Sequence, residues 1–221
     1  MSLERPATVQ PHADPRLLAD IGATYARFCI ERLSGRFEHV AVLPCADYPG
    51  FTAVVQAYLD SLPAGVKPRH GAVAIANPIE GDWVRMTNRD WAFSIQEAQR
   101  QLDLTTLLVV NNFTALAMSL PRLGAEGRHQ VGGGEPQSNG VIGLIGPGTG
   151  LGVSGLIPSG DRWVTLATEG GHVNFAPSDE RELRILQFAW TTMPRVSAER
   201  LLSGPGLELI YQALAQGRPG A

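Results

Sequence analysis

The segment Gly146-Pro147-Gly148-Thr149-Gly150-Leu151-Gly152 lies between two apolar runs, Val141-Ile142-Gly143-Leu144-Ile145 and Val153-Ser154-Gly155-Leu156-Ile157. Glycine has no Cβ, so several backbone N–H groups can converge on an anion there, and Thr149 adds a hydroxyl donor. One reading is a phosphate cradle set in a strand-turn-strand hairpin, and the other is a hairpin turn that is merely glycine-rich. Two better-known phosphate loops are excluded. A Walker loop needs Gly-Lys-Ser/Thr, whereas the single lysine of the chain, Lys67, follows Val66. A dinucleotide fingerprint runs Gly-x-Gly-x-x-Gly from a strand into a helix, but this loop reads Gly-x-Gly-x-Gly and continues with strand periodicity through Val153 and Leu156. The scarcity of lysine also removes protein-kinase chemistry, which pairs a strand lysine with the phosphates. Any phosphate is therefore held by backbone, hydroxyl groups and a metal ion.

Further polar residues stand nearby in sequence. Glu169 and His172 are three apart around two glycines, a spacing that also suits a metal pair, although no third ligand at metal spacing follows. Glu199, taken alone, reads as an exposed helix carboxylate.

The elements that must position these groups alternate between strand and helix. The runs 17–24, 25–31 and 37–43 predict an antiparallel meander, and Val54, Val55, Tyr58, Leu59 and Leu62 are spaced as one face of a helix over 51–62. Residues 70–76 and 107–110 read as buried strands. Ser94 and Glu97 form a capping box for a short helix to Leu102, and a further helix starts after Asn111-Asn112. The glycine-rich, polar stretch 124–139 is the expected domain junction. Beyond it, 141–145, 151–157 and 162–168 repeat the three-strand unit, followed by helices over 180–192, 197–202 and 207–214. The fold class is α/β.

Composition bounds the function. With 221 residues, 44% hydrophobic and 18% charged, the chain is of ordinary globular character, one or two domains. A net charge of −3 and dispersed arginines predict neither a nucleic-acid face nor a polybasic membrane segment. No apolar run approaches the ~18 residues of a membrane span, and Cys29 and Cys45 give no disulfide framework, so the expected compartment is the cytoplasm. Residues 1–15, polar and proline-containing, read as a disordered leader.

Taken together, the motifs resemble the bacterial-type glucokinase family. The resemblance rests on Asp20-Ile21-Gly22-Ala23-Thr24-Tyr25-Ala26-Arg27, Ala74-Ile75-Ala76-Asn77-Pro78-Ile79, Met86-Thr87-Asn88 with Trp91, and Asn111-Asn112-Phe113-Thr114-Ala115. It continues through Gly146 to Gly152, Glu169-Gly170-Gly171-His172-Val173, Ser197-Ala198-Glu199-Arg200 and Ser203-Gly204-Pro205-Gly206. It implies two ribonuclease H-like domains of the actin-like ATPase type with a cleft between them, a small one over 16–122 and a larger one over 123–221. It implies ATP as phosphoryl donor, with Mg2+ arriving on the ATP and Asp20 the candidate to reach it through water. By the same resemblance, Asp20, Gly22, Ala23 and Thr24 form a first phosphate turn, and Gly146, Gly148, Thr149 and Gly150 belong to a second. Asn111, Glu169, His172 and Glu199 would hydrogen-bond the hydroxyls of glucose, with position 112 beside the hydroxyl that is phosphorylated. Glucose and ATP are the implied partners, with a homodimer left open.

Three departures from the family pattern carry expectations of their own. Asn112 stands where the family has the aspartate base, and an amide cannot accept a proton, so sugar binding is expected to outlast turnover. Ala23 replaces a second glycine and Tyr25 an asparagine, and a Cβ at a turn of positive φ is expected to strain the first phosphate turn. The family pattern also continues past Leu214 with helices, strands and an adenosine segment, so the second domain is expected to be incomplete and to expose apolar sheet surface. The competing readings are thus an ATP-dependent glucokinase, a non-catalytic sugar-binding or regulatory relative, and a fragment without independent function.

Overall fold

A computed structural model describes residues 11–86 and 89–216. The chain forms two units, residues 1–115 and 116–221, so the division falls ahead of the expected boundary after residue 122.

In the first unit, β1 (Pro11–Ile21), β2 (Tyr25–Leu33) and β3 (Arg36–Pro44) form the anticipated antiparallel meander. Strand β1 starts at Pro11, so residues 11–15 belong to the sheet and not to a leader; residues 1–10 lie outside the described residues. Helix α1 (Phe51–Asp60) leads to β4 (His70–Ile75), which lies parallel to β1 with Leu17 opposite Gly71 and Asp20 opposite Ala74. Strands β5 (Trp83–Arg85) and β6 (Ala92–Ser94) make a small separate hairpin that the sequence reading missed. Helix α2 (Ile95–Gln101) is followed by β7 (Thr106–Asn111), parallel to β4, and by α3 (Asn112–Ser119). The sheet order β3-β2-β1-β4-β7 is that of a ribonuclease H-like unit.

One face of this sheet makes the core. Leu17, Ile21, Phe28, Ile30, Val73 and Ile75 pack against Phe51, Val54, Val55 and Tyr58 of α1, all at most 2% exposed. Full burial of such side chains stabilises by about 1.5–3 kcal/mol each. Phe28 stacks on Tyr58, and Phe51 stacks on Phe93. Burial raises the Tyr58 hydroxyl to about 12, and the hydroxyl donates to the His39 carbonyl at 2.8 Å. Strands β4 and β7 were expected to be buried throughout, but they alternate: Leu107 and Val109 face the core while Leu108 is 56% exposed. An apolar run by itself does not distinguish a strand covered on both faces from one covered on a single face.

The capping box at α2 is half formed. The Ser94 hydroxyl accepts the Glu97 N–H at 3.1 Å, but the Glu97 carboxylate turns to Gln101 and Arg100, and Asp82 takes up the partnership instead. Asp82 accepts the Ser94 hydroxyl at 2.5 Å and the Gln96 N–H at 2.8 Å.

The second unit takes in the end of α3 and then a mostly exposed stretch, including a 3-10 turn at Ala125–Gly127, before β8 (Ile142–Pro147), β9 (Leu151–Ser159) and β10 (Arg162–Ala167) form an antiparallel sheet in the order β10-β9-β8. Helices α4 (Glu180–Trp190), α5 (Ala198–Leu201) and α6 (Gly204–Ala215) follow, capped by Asp179, Ser197 and Ser203. The Ser203 cap and Pro205 in the first turn start α6 three residues before the periodic apolar run. Ile185, Leu186, Ala189, Val196 and Leu201 form a small second core. As expected, apolar side chains of the three-stranded sheet stay open to solvent, Ile145 at 68% and Val164 at 52%.

Candidate phosphate turns and sugar-binding residues

In the first unit the parallel strands β1, β4 and β7 deliver Asp20, Asn77 and Asn111 to their C-terminal ends, the edge at which open α/β sheets bind ligands. Asp20 sits one residue before the end of β1 and pairs with Arg27 across the hairpin at 3.1 Å. Both side chains are about half exposed, so the pair contributes at most about 1 kcal/mol and leaves the carboxylate free to exchange partners.

The turn Gly22-Ala23-Thr24 is gripped from behind. Gly22 N–H donates to the Tyr25 carbonyl at 3.0 Å. The Gly22 carbonyl accepts Cys45 Sγ–H at 3.5 Å, the Ala23 carbonyl accepts Arg89 Nε–H at 2.7 Å, and the Thr24 carbonyl accepts the Cys45 N–H at 2.9 Å. In a trans peptide a carbonyl and the following N–H point opposite ways, so anchoring these carbonyls directs the next N–H groups away from Cys45 and Arg89. Ala23 does not have positive φ, and neither does Gly22. The expected strain at Ala23 is therefore absent, because this turn closes with ordinary backbone angles. A Cβ added at Gly22 would meet only the Tyr25 carbonyl, at 3.6 Å.

At the end of β7 the Asn111 side chain caps α3. Its Oδ1 accepts the N–H groups of Phe113 and Thr114 at 2.9 and 3.2 Å, and its Nδ2 donates to the carbonyl of buried Asn77 at 3.2 Å. Asn112 is the first residue of α3, and its own Oδ1 also lies 2.9 Å from the Phe113 N–H. Both amides are half-buried and held at a helix N-terminus.

In the second unit, Pro147 pairs with Leu151 and Gly146 with Gly152, so Gly146 is a strand residue and the turn proper is Gly148-Thr149-Gly150. Gly148 N–H donates to the Gly150 carbonyl at 2.8 Å, while the Gly148 carbonyl accepts the Gly204 N–H, also at 2.8 Å, from the start of α6. Leu151 N–H donates to Glu199 Oε2 at 2.9 Å. The other oxygen of Glu199 faces His172 Nε2 at 3.5 Å. Glu199 reaches this place from the first turn of α5, whose Ser197 cap is buried.

His172 closes a 3-10 turn at Gly170–His172, with its N–H bonded to the Glu169 carbonyl at 3.0 Å and its own carbonyl held by Arg195 Nη2 at 2.6 Å. A Cβ at Gly171 would strike the Leu151 carbonyl, so the glycine is what lets this turn lie against β9. Glu169, His172 and Glu199 thus share one unit and one edge of it, and Glu169 and His172 are exposed. No group of three or more metal-ligating side chains occurs among the described residues. Within this unit, two carboxylates and an imidazole are donors and acceptors of the kind a polyhydroxylated ligand uses.

The glucokinase family model matches residues 17–219. The chain belongs to the glucokinase family. This glucokinase-family chain is 58% identical over 205 residues to the bifunctional protein glk of Paraburkholderia xenovorans, an alignment covering 92% of the chain and 32% of that relative. It is 52% identical over 211 residues to the glucokinase of Neisseria gonorrhoeae, covering 95% of the chain and 64% of that relative. The crystal structure of a glucokinase from an Antarctic psychrotroph superposes with a TM-score of 0.80 at 32% identity, over 93% of this chain and 65% of that one. The chain therefore spans about a third of the bifunctional relative's length and under two thirds of the Neisseria glucokinase's.

Arg89 and Arg195 are the positions that reading the glucokinase-family sequence passed over. Arg89 lies inside the stretch running from Met86 to Trp91, which carries a usable signal, a cation two residues from an aromatic ring; its guanidinium lies 5.2 Å from the Trp91 centroid and also bonds the Cys45 carbonyl. Thr87 and Asn88 lie outside the described residues. Arg195 had no local signal, because its partners Asn174 and His172 are brought to it by tertiary packing.

Proposed function

We propose that the chain binds glucose and Mg-ATP and transfers the γ-phosphoryl group to a glucose hydroxyl, slowly, as a glucokinase whose proton acceptor has been replaced. The observation that carries the reading is the arrangement in the second unit, where Glu199 is hydrogen-bonded to the glycine turn and faces His172. Glu169, His172 and Glu199 are the candidate sugar-binding groups of that unit, and the family resemblance names Asn111 and Asn112 in the first unit. A sugar site built from such groups is selective because any polar group left unmatched on burial costs about 1–3 kcal/mol.

The two glycine turns supply backbone N–H groups and the Thr24 and Thr149 hydroxyls to the phosphates. A lone carboxylate, Asp20, fits an Mg2+ ion that arrives on ATP and keeps most of its waters, whereas a dedicated metal cage would need several ligands. Held there, such an ion would supply charge neutralisation at the transferring phosphoryl group. The sugar oxygen attacks in line, the new O–P bond forms as the bond to the β-phosphate oxygen breaks, and ADP leaves. The hydroxyl proton passes to water, since the Asn112 amide has no basic site for it. Losing a positioned base typically costs ~10²–10⁴ in rate. The cytoplasm is the compartment in which both substrates and reduced Cys29 and Cys45 belong.

Asn112 also favours a second reading, a sugar-binding relative without turnover. Calorimetric titration of glucose into the chain in the presence of Mg-ATP separates the two. Saturable heat followed by sustained heat supports the kinase, saturable heat alone supports the binding module, and absence of heat from a folded chain refutes both.

A further inference from the structure

Gly150 lies directly against the Glu199 carboxylate. A Cβ built on it would collide with Glu199 Oε2, whereas one built on Gly148 would meet nothing within 4 Å. The same carboxylate oxygen accepts the N–H of the next residue, Leu151, at 2.9 Å, although the two residues are 48 positions apart. On the opposite side of the turn the Gly148 carbonyl is held by the Gly204 N–H. The turn is thus clamped between the starts of two successive helices, α5 through a side chain and α6 through backbone.

We infer that Glu199 is a positioning residue for the phosphate turn as well as a sugar ligand, so that one carboxylate links sugar occupancy to nucleotide affinity within the second unit. The inference rests on the kinase reading for its ligands. Its physical content is a division of labour between two oxygens: Oε2 holds Leu151 N–H, and Oε1, facing His172 at 3.5 Å across a partly exposed gap, is the one directed to a sugar hydroxyl. A hydrogen bond to an ionised group is roughly twice as strong as a neutral one, and this one fixes the residue at which β9 leaves the turn. A hydroxyl engaging Oε1 further immobilises the carboxylate and hence the turn. By linkage, sugar must then tighten nucleotide binding by the same factor that nucleotide tightens sugar binding.

The test uses the full chain, with Mg-ADP and glucose as probes, and three variants. In Glu199→Ala the Leu151 amide is expected to exchange its hydrogen at least about 10-fold faster, and Mg-ADP affinity measured without glucose should fall about 10-fold, the loss expected for one charge-assisted bond. Glu199→Gln keeps an acceptor for Leu151 N–H and should restore Mg-ADP affinity to within about 3-fold of the parent while glucose affinity stays impaired. Glu169→Gln, which removes a sugar ligand without touching the turn, should weaken glucose and leave Mg-ADP unchanged. Rescue by glutamine separates positioning from a general loss of structure. If Glu199→Ala binds Mg-ADP as tightly as the parent, or its Leu151 amide remains equally protected, the coupling is overturned and the kinase reading survives. If the parent chain itself binds neither probe, the kinase reading fails and the coupling falls with it.

Discussion

Restoring the carboxylate at position 112 tests the reasoning about turnover most directly. Asn112 is the first residue of α3, and Asn111 already caps that helix through the N–H groups of Phe113 and Thr114. In Asn112→Asp one carboxylate oxygen inherits the 2.9 Å contact with the Phe113 N–H, and the other is left to accept a proton. A positioned base is worth ~10²–10⁴ in rate, or about 2.7–5.4 kcal/mol at 1.36 kcal/mol per decade. The helix N-terminus stabilises the anion by about 0.3–1 kcal/mol, which weakens the base by up to somewhat under one pKa unit and trims the gain. The expected increase in kcat is therefore about 10²–10³, with little change in the affinity for glucose, since the shape of the side chain is kept. The same electrostatics should raise stability by about 0.3–1 kcal/mol, readable in urea denaturation. Activity is followed as glucose 6-phosphate formation through a coupled dehydrogenase. A folded Asn112→Asp chain that binds glucose and Mg-ADP yet shows unchanged kcat would refute the assignment of position 112 as the limiting base.

Other perturbations probe the supports of the site. Gly150→Ala pushes the tip of the flexible Glu199 side chain off the turn, so the expected loss is that of the Leu151 N–H bond, about 0.5–1.5 kcal/mol in chemical denaturation; an unchanged midpoint would mean that this bond adds nothing to stability. Arg89→Lys cannot bridge the Ala23 and Cys45 carbonyls while lying over Trp91, so a loss of about 1–2 kcal/mol is expected in thermal or urea unfolding, and equal stability would refute the staple. The Asp82 carboxyl is held below its usual range, first by the Ser94 hydroxyl and then by the Gln96 N–H. Its folded pKa is lower than its unfolded one, so its contribution is complete above about pH 4 and disappears as pH falls through the folded value. Comparing urea midpoints at pH 5 and pH 3, Asp82→Asn should lose less on acidification than the parent, and parallel losses would contradict the assignment. Tyr58→Phe removes the bond to the His39 carbonyl and should cost about 1 kcal/mol at neutral pH. Because burial raises that hydroxyl to about 12, its protonated contribution holds up to about pH 10 and fades toward pH 12, so the parent and variant profiles should converge there.

Much of this protein is legible in its sequence because local patterns carry the information. Alternation in 25–31 and the helical spacing from Phe51 to Tyr58 follow from which face must be buried, and the structure bears out both. The Ser94 cap marks the start of α2 for an equally local reason, the need of the first turn for an acceptor, whereas the Ser203 cap went unread and its helix was expected only from Leu207. The ordered motifs were enough to mark the family, which the family model then showed independently. What remained hidden was every relation set by packing between distant segments. Nothing near Gly150 reveals that Glu199 fills the space its missing Cβ leaves, and nothing near Ala23 reveals that Arg89, 66 residues away, holds its carbonyl. The strain assigned to Ala23 presumed a positive φ that the closed hairpin does not adopt. The one-sided burial of β7 was equally hidden, since Leu107-Leu108-Val109-Val110 has the same apolar composition whichever face is covered. Sequence therefore determined the residue types and the elements that carry them, through short-range sterics and periodicity. Tertiary structure alone decided which carbonyl, amide and carboxylate meet, because that depends on how whole elements pack.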